Sequence, residues 1–568
     1  MYKKENINKQ ITEYIWKTKY RYKSPINKYE EKTIEDTWKR IAKELSSVER
    51  KRNYWQKEFY SILEGFKFIP AGRISAGIGT NRNVTLINTF VMPSPKDSLD
   101  SILETFKETA LTLRQGGGLG LDFSLIRPKG DIIKGVEAES SGPIPFMEMW
   151  DQMCSSLMQG GVRRGAMMAL LRCDHPDILE FVESKNKSGK LTKFNISVLI
   201  TDDFMKALKN KKKWDLKFNG KIYKTIVSCD LWKRIMQNTY KYSEPGVIFI
   251  DQINKRSNLK YCEKIVATNS CGEQPMPEYG SSPLGSVNLT QFVENPFTKE
   301  AKFDSKKMQK VIRIAIRMLD NVISISNYPV KKQKLEANAK RRIGLGYTGV
   351  ADTFAMCGLK YSSDEANDKL EELVKLLQNE SYRSSAEIAK EKGSFPKYKA
   401  SKYTKGYYFK LLDKEVQNDI EMYGLRNGAL NCVAPTGTSS LYAGNISSGI
   451  EPIFDLEHER KILKKDGTFK YIRLEDYAYS YFNRTKKNKN IDNPFVTSNG
   501  LNPYDHLKVQ AIAQRYIDGS ISKTINCPAN IEFDDFEEVY FSAYEAGCKG
   551  CTTYRPTKIR GSVLKTYN

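Results

Sequence analysis

Three polar side chains alternate along the stretch ATNSCGEQ, and their chemical types suggest a reactive site. Asn269, Cys271 and Glu273 are separated by single residues, one of which is Gly272. Side chains two positions apart on an extended segment project to the same side, so an amide, a thiol and a carboxylate could surround one substrate. In such a trio the glutamate moves a proton while the sulfur performs nucleophilic or radical chemistry. The alternative is that Cys271 is only a small apolar side chain.

A cysteine–histidine hydrolase is a second chemistry to consider for Cys271. It requires a histidine beside the thiol, and the chain has three candidates, His175, His458 and His506. The sequence places none of them near Cys271. His175 precedes Pro176, which is more typical of a structural turn.

A second polar stretch, APTGTSS (residues 434–440), is here named the phosphate turn. It follows an apolar strand-like run and precedes a helical one, and it contains Pro435, Thr436, Gly437, Thr438 and Ser439. Free backbone N–H groups at a helix start, together with hydroxyl groups, form a binding site for phosphate. The alternative is an ordinary strand–helix turn with a capping residue.

Two further motifs carry weaker signals. QGGGLGLDF (115–123) follows a predicted amphipathic helix at 98–115, so it lacks the strand–glycine loop–helix order of dinucleotide sites, and we interpret it as a helix end and a tight loop. CKGC (548–551) is a lone cysteine pair without a second ligand pair at zinc spacing. Packing explains it at least as well as redox or metal chemistry.

The elements that must position these turns alternate between strands and helices. Strand-like runs occur at 84–92, 194–200 and 245–251, each near helical segments, which predicts a parallel-rich α/β fold, with a barrel as the expected architecture. Residues 1–75 instead show charged helices with apolar residues at i, i+3 and i+4. We therefore predict an N-terminal helical segment, 1–75, and one large domain, 76–568.

The charge balance is unusually basic, with a net charge of +24. A basic chain favours polyanionic ligands, either nucleotide phosphates or nucleic acid. The lysines are dispersed and no nucleic-acid-binding motif accompanies them, so we expect no direct nucleic-acid partner. A lysine-rich surface without a binding role is the alternative.

The cysteines and the N-terminus bear on location. Ten cysteines are scattered without a disulfide framework, which is typical of reduced thiols. The first residues, MYKKENINKQITEY, lack the apolar core of a secretory leader, and no apolar run reaches the about 18 residues of a membrane span. We expect a cytoplasmic protein, cellular or in a virus-infected host cell, without a membrane partner.

Taken together, the motifs resemble those of the adenosylcobalamin-dependent (class II) ribonucleotide reductases. The resemblance rests on ATNSCGEQPMPEYGSSPLGSVNL, RRIGLGYTGVAD, APTGTSS with SSGIEPIF, DGSISKTINCP and AGCKGCTTYRP, in that order along the chain. It implies a ten-stranded α/β barrel with a central finger loop that carries a radical cysteine. It also implies an oxidoreductase that uses adenosylcobalamin, with Mg²⁺ accompanying the nucleotide.

The resemblance implies roles for the trio Asn269, Cys271 and Glu273 and for the phosphate turn. Cys271 would become the thiyl radical that takes the 3′-hydrogen of a ribonucleotide. Glu273 would be the base on the 3′-hydroxyl, and Asn269 would hydrogen-bond the substrate. The phosphate turn would bind the phosphates of CDP, UDP, ADP or GDP, or of the corresponding triphosphates.

Regulation and partners also follow from the resemblance. Asp97 and Arg127 fall where the family binds a deoxynucleoside triphosphate effector, and a homodimer is expected. The iron-dependent relatives need two adjacent tyrosines on the last strand, whereas KGCTTYR has Thr552 and Thr553 there, followed by Tyr554. We therefore expect no iron-radical subunit, and no ATP-binding cone before the helical segment.

The sequence departs from the family pattern where two cysteines should line the substrate beside Asn88. LINTFVM gives Thr89 at the first position and YGSSPLGS gives Ser282 at the second. The family's cysteines form a disulfide as the 2′-carbon is reduced, and hydroxyl groups cannot supply electrons in that way. We also expect the family's C-terminal redox tail to be absent.

Several interpretations of this departure stay open. The first is a ribonucleotide reductase with a non-standard electron supply, for instance formate. The second is a radical enzyme that makes a different product from a nucleotide, and the third is a catalytically idle nucleotide-binding paralogue. Cys432, just before the phosphate turn, is the best-placed other thiol, but one cysteine is not a pair. A nucleic-acid-binding protein is the most distant alternative.

Overall fold

The computed structural model describes most of the chain. The described residues are 7–24, 26, 29–157, 165–187, 189–463, 469–485, 493–557 and 564–566. Among them, no helix combines the length and the apolar character needed to cross a bilayer.

Helices account for much of the described chain, and they cluster in the first segment and around the sheets. Their bounds are α1 (Ile7–Ile15), α2 (Ile34–Leu45), α3 (Arg52–Leu63), α4 (Gly72–Gly77), α5 (Leu99–Arg114), α6 (Pro143–Leu157), α7 (Ile178–Glu183), α8 (Asp202–Lys209), α9 (Ser228–Tyr242), α10 (Ile250–Arg256), α11 (Ser305–Ile325), α12 (Lys331–Lys340), α13 (Val350–Met356), α14 (Asp364–Lys392), α15 (Ala400–Tyr403), α16 (Lys414–Tyr423), α17 (Gly437–Tyr442), α18 (Tyr477–Arg484), α19 (Pro503–Tyr516) and α20 (Phe533–Glu545).

The strands are short. Their bounds are β1 (Phe68–Pro70), β2 (Thr89–Val91), β3 (Gly118–Asp122), β4 (Ile132–Ile133), β5 (Ala138–Glu139), β6 (Met167–Arg172), β7 (Phe194–Ile200), β8 (Lys213–Phe218), β9 (Lys221–Val227), β10 (Gly246–Phe249), β11 (Ala267–Thr268), β12 (Pro275–Met276), β13 (Ser281–Ser282), β14 (Leu284–Asn288), β15 (Val293–Glu294), β16 (Lys302–Phe303), β17 (Gly344–Thr348), β18 (Glu457–Leu463), β19 (Phe469–Glu475), β20 (Ile525–Asn526), β21 (Gly550–Cys551), β22 (Thr553–Tyr554) and β23 (Leu564–Thr566).

The largest sheet has seven strands in the order β13-β2-β3-β6-β7-β10-β21. The five central strands, β2 to β10, run parallel, and the edge strands β13 and β21 are antiparallel to their neighbours. Parallel strands need crossover connections, and helices such as α5, α6 and α9 provide them. The parallel-rich α/β fold predicted from the sequence is confirmed.

A second sheet has three strands in the order β1-β14-β17. Isolated parallel bridges extend from it, joining Leu345 to Asn431 and Val433 to Ile521. In the described part of the chain these strands and the seven-stranded sheet are separate sheets, so a continuous ten-stranded sheet is not observed. The segment predicted to be helical, 1–75, contains α1 to α3, but residues 68–70 form β1 because they pair with β14.

Two large apolar cores lie between the sheets and the helices. One joins the three-stranded sheet to α2, α3, α11 and α14, and the other joins the outer face of the seven-stranded sheet to α5, α6, α9 and α20. Each of the two sheets is therefore covered by helices on one face.

A smaller apolar cluster lies on the opposite face of the seven-stranded sheet. Val91, Leu170 and Leu199 from the sheet contact Ala267 and Met276. The last two residues belong to the β11–β12 hairpin, residues 267–276, which we name the finger loop. The cluster anchors the base of the finger loop to the sheet.

Candidate active site

The finger loop is a tight hairpin whose tip carries the residues singled out in the sequence. The strands pair Ala267 with Met276 and Thr268 with Pro275. Across the tip, the Asn269 amide N–H donates to the Gln274 carbonyl at 3.2 Å, and the Asn269 side-chain oxygen accepts from the Gln274 amide at 2.9 Å. Asn269 therefore closes the turn, a role that sequence spacing did not predict.

The three residues of the trio differ in exposure. Asn269 and Glu273 are buried, with 1% and 3% of their surface accessible, whereas Cys271 is exposed. Gly272 has a φ of 83° and an added Cβ would meet nothing within 4 Å, so the backbone at the tip faces open space. The thiol is thus presented outward while the carboxylate beside it is shielded from water.

Two glycines of β3 let the finger loop approach the sheet. A Cβ on Gly120 would lie 1.7 Å from the Thr268 carbonyl oxygen, and a Cβ on Gly118 would lie 2.9 Å from Ser270 Oγ. No side chain fits in such gaps. The glycine-rich run at 115–123, interpreted from sequence as a loop, is in part the strand against which the finger loop packs.

The opposite side of the finger loop contacts the segment that leads to the phosphate turn. The Glu273 carbonyl accepts a 2.9 Å hydrogen bond from the Ser520 amide, and the Val433 amide donates to the Ser520 carbonyl at 3.1 Å. Cys432 is buried next to this contact. Burial raises the pKa of its thiol well above the usual range, and the nearby Glu273 carboxylate adds to that shift.

Thr89 and Ser282, the positions where the resemblance leads us to expect a cysteine pair, lie directly opposite each other. Thr89 on β2 is the registered partner of Ser282 on β13. Both are buried, and Thr89 Oγ1 donates a 2.7 Å hydrogen bond to the Ser282 carbonyl oxygen. Directly opposed antiparallel residues have Cα atoms about 4.5–5.5 Å apart, which a disulfide can span, but neither position has a thiol.

Asn88 connects this pair to the finger loop. Its carbonyl accepts from the Gly118 amide at 2.8 Å, and its side-chain oxygen accepts from the Arg73 amide at 3.1 Å. Gly118 is also the residue packed against Ser270 of the finger loop. Asn88 and Thr89 therefore lie one strand away from the tip that carries Cys271.

The phosphate turn begins α17 and is open to solvent. Pro435, Gly437 and Thr438 are exposed, and Thr436 has a left-handed backbone with a φ of 46°. Thr436 Oγ1 accepts from the Gly449 amide at 2.9 Å and lies 3.1 Å from Thr348 Oγ1.

Further hydroxyl groups stand behind the phosphate turn. Thr348 Oγ1 donates to the Ser447 carbonyl at 3.0 Å and lies 3.3 Å from Ser440 Oγ. No motif in the sequence indicated Thr348, although it is the polar end of the apolar strand β17, a position where binding residues often occur.

The two candidate effector residues form an ion pair away from the finger loop. Arg127 Nε donates to both oxygens of Asp97, at 2.9 and 3.0 Å, and the Arg127 amide donates to the same carboxylate at 3.2 Å. The β8–β9 hairpin reaches this region, since Lys221 Nζ lies 3.7 Å from Asp131. The pKa of Arg127 is raised mainly by its hydrogen bond to Asp97.

The sheet face beside the finger tip carries small side chains. Asn195 Nδ2 donates to the Ser270 carbonyl at 3.0 Å, and Ser197 lies two residues along the same strand. A Cβ on Gly246 would be 2.9 Å from Ser197 Oγ and 3.4 Å from Thr552 Oγ1, and Thr552 is exposed. Asn195 and Thr552 are exposed, so this face is open to solvent beside the finger tip, although the backbone at Gly246 is closely packed.

The histidines bond elsewhere. The ring of His175 contacts the Ile126 carbonyl at 2.9 Å, and the ring of His506 contacts Lys523 Nζ at 3.1 Å. His458 lies in β18 and packs against Phe454. None of these contacts involves Cys271, so the structure gives no support to a cysteine–histidine hydrolase.

The CKGC motif belongs to the core. Cys548 and Cys551 are buried, and Cys551 is part of β21. Within the described residues, no group of three or more histidine, cysteine or acidic side chains is arranged to hold a metal ion. Packing is thus the observed role of these thiols.

Family models and curated relatives agree on what this chain resembles. The model "Ribonucleotide reductase, barrel domain" matches residues 87–554, and "Ribonucleotide reductase, all-alpha domain" matches residues 11–83. The vitamin B12-dependent ribonucleoside-diphosphate reductase of Thermoplasma acidophilum is 34% identical over 555 residues, which cover 94% of this chain and 69% of the relative.

Two other relatives carry ribonucleoside-diphosphate reductase names as well. The vitamin B12-dependent ribonucleoside-diphosphate reductase of Mycobacterium tuberculosis is 33% identical over 532 residues, 90% of this chain and 73% of the relative. The ribonucleoside-diphosphate reductase subunit alpha of Chlamydia pneumoniae is 26% identical over 613 residues, 94% of this chain and 58% of the relative. The chain therefore belongs to the ribonucleotide reductase family of oxidoreductases, and its resemblance to the vitamin B12-dependent members is confirmed.

Proposed function

We propose that this protein converts ribonucleotides to deoxyribonucleotides by a radical at Cys271, with electrons from a source other than a pair of active-site thiols. The observation that carries the first half is the exposed thiol of Cys271 on a hairpin tip with the buried carboxylate of Glu273 beside it. The second half rests on Thr89 and Ser282, which face each other as hydroxyl residues.

The residues around the tip fit the proposed cofactor, adenosylcobalamin. Asn195 and Thr552 are exposed, and a Cβ on Gly272 would meet nothing within 4 Å, so the face next to Ser270 is open to a large cofactor. The chemistry that adenosylcobalamin supplies when bound is one-electron oxidation of a nearby thiol. The threonines at 552 and 553 also support a local radical source, because they offer no phenol for a relay from a second subunit.

Each residue of the tip has a distinct task in this proposal. Cys271, as a thiyl radical, takes the 3′-hydrogen of the ribose and later returns it. Glu273 accepts the proton of the 3′-hydroxyl, and its burial keeps water from competing for that proton. Asn269 holds the turn closed and hydrogen-bonds the substrate, while Asn88, Thr89 and Ser282 line the sugar.

The electron supply must deliver two electrons and two protons for each water released from the 2′-carbon. A disulfide between residues 89 and 282 cannot form, since oxygen replaces sulfur at both positions. Formate can supply the electrons, because its oxidation to carbon dioxide releases a hydride equivalent. A different radical reaction on the same nucleotide is the second candidate. The hydroxyl groups of Thr89 and Ser282 favour it too, because such a reaction does not need a reducing thiol pair.

The phosphate turn and the ion pair at Asp97 complete the nucleotide sites in this proposal. Thr436, Thr438 and Ser439 with the α17 backbone would hold the substrate phosphates, and Mg²⁺ would accompany them. Arg127 and Asp97 would bind the triphosphate and deoxyribose of a deoxynucleotide effector, and the positive charge of Arg127 suits the triphosphate. The printed names of the relatives favour diphosphates as the substrates.

A homodimer is part of the proposal. Leu99, Leu103 and Leu111 on α5, and Met149 and Leu157 on α6, are exposed although they are apolar. The two helices pack together through Phe106 and Trp150, whose ring centroids are 5.0 Å apart. An exposed apolar row on a packed helix pair is typical of a protein interface.

We also propose that the chain divides into an N-terminal helical segment, residues 1–75, and one large domain, residues 76–568. We propose a cytoplasmic location for the protein.

The decisive experiment is an anaerobic reaction with adenosylcobalamin, Mg²⁺, CDP or CTP and a deoxynucleotide effector. One series contains dithiothreitol and the other formate, and the product is identified by mass. We expect a deoxynucleotide with formate and none with dithiothreitol alone. Cys271→Ser should abolish the reaction, whereas Cys229→Ser, a partly exposed thiol on α9, should leave it unchanged.

Each other outcome points to a different interpretation. Cofactor cleavage with a product that is not a deoxynucleotide would favour the second candidate. No reaction in either series, with nucleotide binding intact, would indicate an idle binding protein. Full activity of Cys271→Ser would contradict the radical assignment.

A further inference from the structure

The CKGC motif contains a buried lysine for which the proposed reaction has no role. Lys549 is 1% exposed, and its ammonium donates to the carbonyls of Asp518 at 2.7 Å, Gly519 at 2.5 Å and Ile517 at 3.4 Å. In the described part of the chain, its hydrogen-bond acceptors are all backbone carbonyls. Burial lowers the pKa of Lys549 to about 7, against the opposing effect of the Asp518 carboxylate. A buried charge is costly unless it is well solvated by such dipoles.

The three carbonyls belong to one turn, residues 517–519, that is held from its other side as well. The Asp518 carboxylate accepts from the amides of Leu430 at 2.9 Å, Asn431 at 2.7 Å and Gly519 at 2.9 Å. The Tyr382 hydroxyl donates to the same carboxylate at 2.8 Å. The Lys549 ammonium thus donates to the carbonyls of the turn, while the Asp518 carboxylate accepts from the amides around it. The turn is held between these two opposite charges.

The turn leads directly to the residue that contacts the finger loop. Ser520 follows it, and the Ser520 amide donates to the Glu273 carbonyl at 2.9 Å. The packing is tight, because a Cβ on Gly519 would lie 3.3 Å from the Glu273 carbonyl oxygen and 3.0 Å from Cys432 Cβ. A shift of the 517–519 turn therefore moves the backbone of Glu273.

We propose that Lys549 is a positioning residue for Glu273: its ammonium fixes the 517–519 turn, and the turn fixes the finger loop through Ser520. The connection runs from Lys549 Nζ through the three carbonyls of the 517–519 turn to the Ser520 amide and then to the Glu273 carbonyl. It enters the finger loop opposite the side held by β3. This inference deepens the proposed function, on which only its kinetic test depends.

The test compares Lys549→Met with the wild-type protein in three measurements. Without the ammonium the turn loosens, so hydrogen exchange at the Ser520 amide should rise by about tenfold or more. The alkylation rate of Cys271, followed by peptide mass spectrometry, should change in parallel. In turnover, kcat should fall by about tenfold while KM stays within about twofold, because Lys549 hydrogen-bonds no residue of the phosphate turn.

A partly buried, ion-paired lysine and a second variant of Lys549 serve as controls. Lys392 is ion-paired with Glu49 at 2.7 Å in the helical layer, so Lys392→Met should lower stability without changing Ser520 exchange or Cys271 alkylation. Lys549→Gln retains N–H donors and should recover part of the protection at Ser520, and it can be measured if Lys549→Met does not fold.

Wild-type exchange at Ser520 and wild-type alkylation of Cys271 in a folded Lys549 variant would overturn the inference. Exchange and alkylation do not require turnover. If the Lys549 variants show the exchange effect but the wild-type protein makes no product, the proposed function is refuted and the positioning role stands.

Discussion

At the residue scale, the distinguishing feature is a pair of buried hydroxyl residues that face each other across two strands. Thr89 and Ser282 are registered partners, and Thr89 hydrogen-bonds the Ser282 carbonyl. The pair has the register that a disulfide requires, but hydroxyl groups cannot form one. The proposed electron source can therefore be tested with two substitutions.

We predict that Thr89→Cys combined with Ser282→Cys allows dithiothreitol to support multiple turnovers, since the opposed positions are within disulfide reach. Either single variant should remain at background, because one thiol cannot form the internal disulfide. Product formation with dithiothreitol and the reducible cross-link, detected by mapping peptides before and after reduction, are the two measurements. A double variant that forms the disulfide but gains no thiol-dependent product would contradict the proposed electron route.

A second residue-scale feature is a pair of buried carboxyl groups behind the phosphate turn. Asp352 accepts from the Ser447 amide at 2.8 Å and is hydrogen-bonded to Asp476. Burial raises the pKa of Asp352 to about 6, and burial together with the charge of Asp352 raises the pKa of Asp476 well above its usual value. Because the folded values lie above the unfolded ones, the pair stabilises the fold at low pH, and that contribution is lost as pH rises through the folded pKa.

We predict that Asp352→Asn, which resembles the protonated acid, loses less stability than the wild type between about pH 4 and pH 7. The difference should be about 1–3 kcal/mol. Urea unfolding at several pH values measures it, and Asp100→Asn, an exposed site on α5, is the control. Parallel pH profiles for wild type and Asp352→Asn would show that the pair is ionised throughout.

At the element scale, the finger loop depends on backbone contacts that no periodicity in the sequence displays. Its tip is closed by Asn269, its base is anchored by Ala267 and Met276, and Gly120 allows its approach to β3. The sequence predicted the reactive trio from residue types. It could not predict the role of the glycine run, because that role depends on a hairpin from a distant part of the chain.

We predict that Gly120→Ala lowers stability by about 1–3 kcal/mol and reduces turnover more than nucleotide binding. The added Cβ would overlap the Thr268 carbonyl and push the finger loop away from the sheet. Gly135→Ala is a matched control, since a Cβ there meets nothing within 4 Å. Chemical denaturation and turnover are measured side by side, and equal stability of the two variants would refute the close contact.

At the scale of the whole molecule, the two helices α5 and α6 carry an exposed apolar row. We predict that Leu103→Lys shifts the protein from dimer toward monomer and weakens its response to the effector, because the charge enters the centre of the proposed interface. Analytical ultracentrifugation with and without a deoxynucleotide measures this. Met422→Lys on α16 is the control, since Met422 is also exposed. An unchanged dimer in Leu103→Lys would place the interface elsewhere.

The sequence predicted the class of the fold better than its arrangement. FNISVLI coincides with β7, whereas only Thr89–Val91 of VTLINTFVM forms a strand. Upstream of β2, the Leu86 amide bonds to Ser326 Oγ instead of a strand partner, and such a tertiary contact has no local signal. Likewise the order β13-β2-β3-β6-β7-β10-β21 follows from crossovers that composition does not specify. Asp518 and Lys549 were missed because their partners are backbone groups of other segments.

The finger loop also constrains how the protein is made. Its tip lies between residues 118–120 on one side and Ser520 on the other, so its supports come from opposite ends of the chain. Contacts of such large sequence separation form late and slowly. During synthesis on the ribosome, Cys271 and the Glu273 carboxylate are therefore not held in their final positions until residues 118–120 and Ser520 have both emerged. A nascent chain thus lacks the assembled finger loop, and the proposed radical chemistry requires a finished molecule.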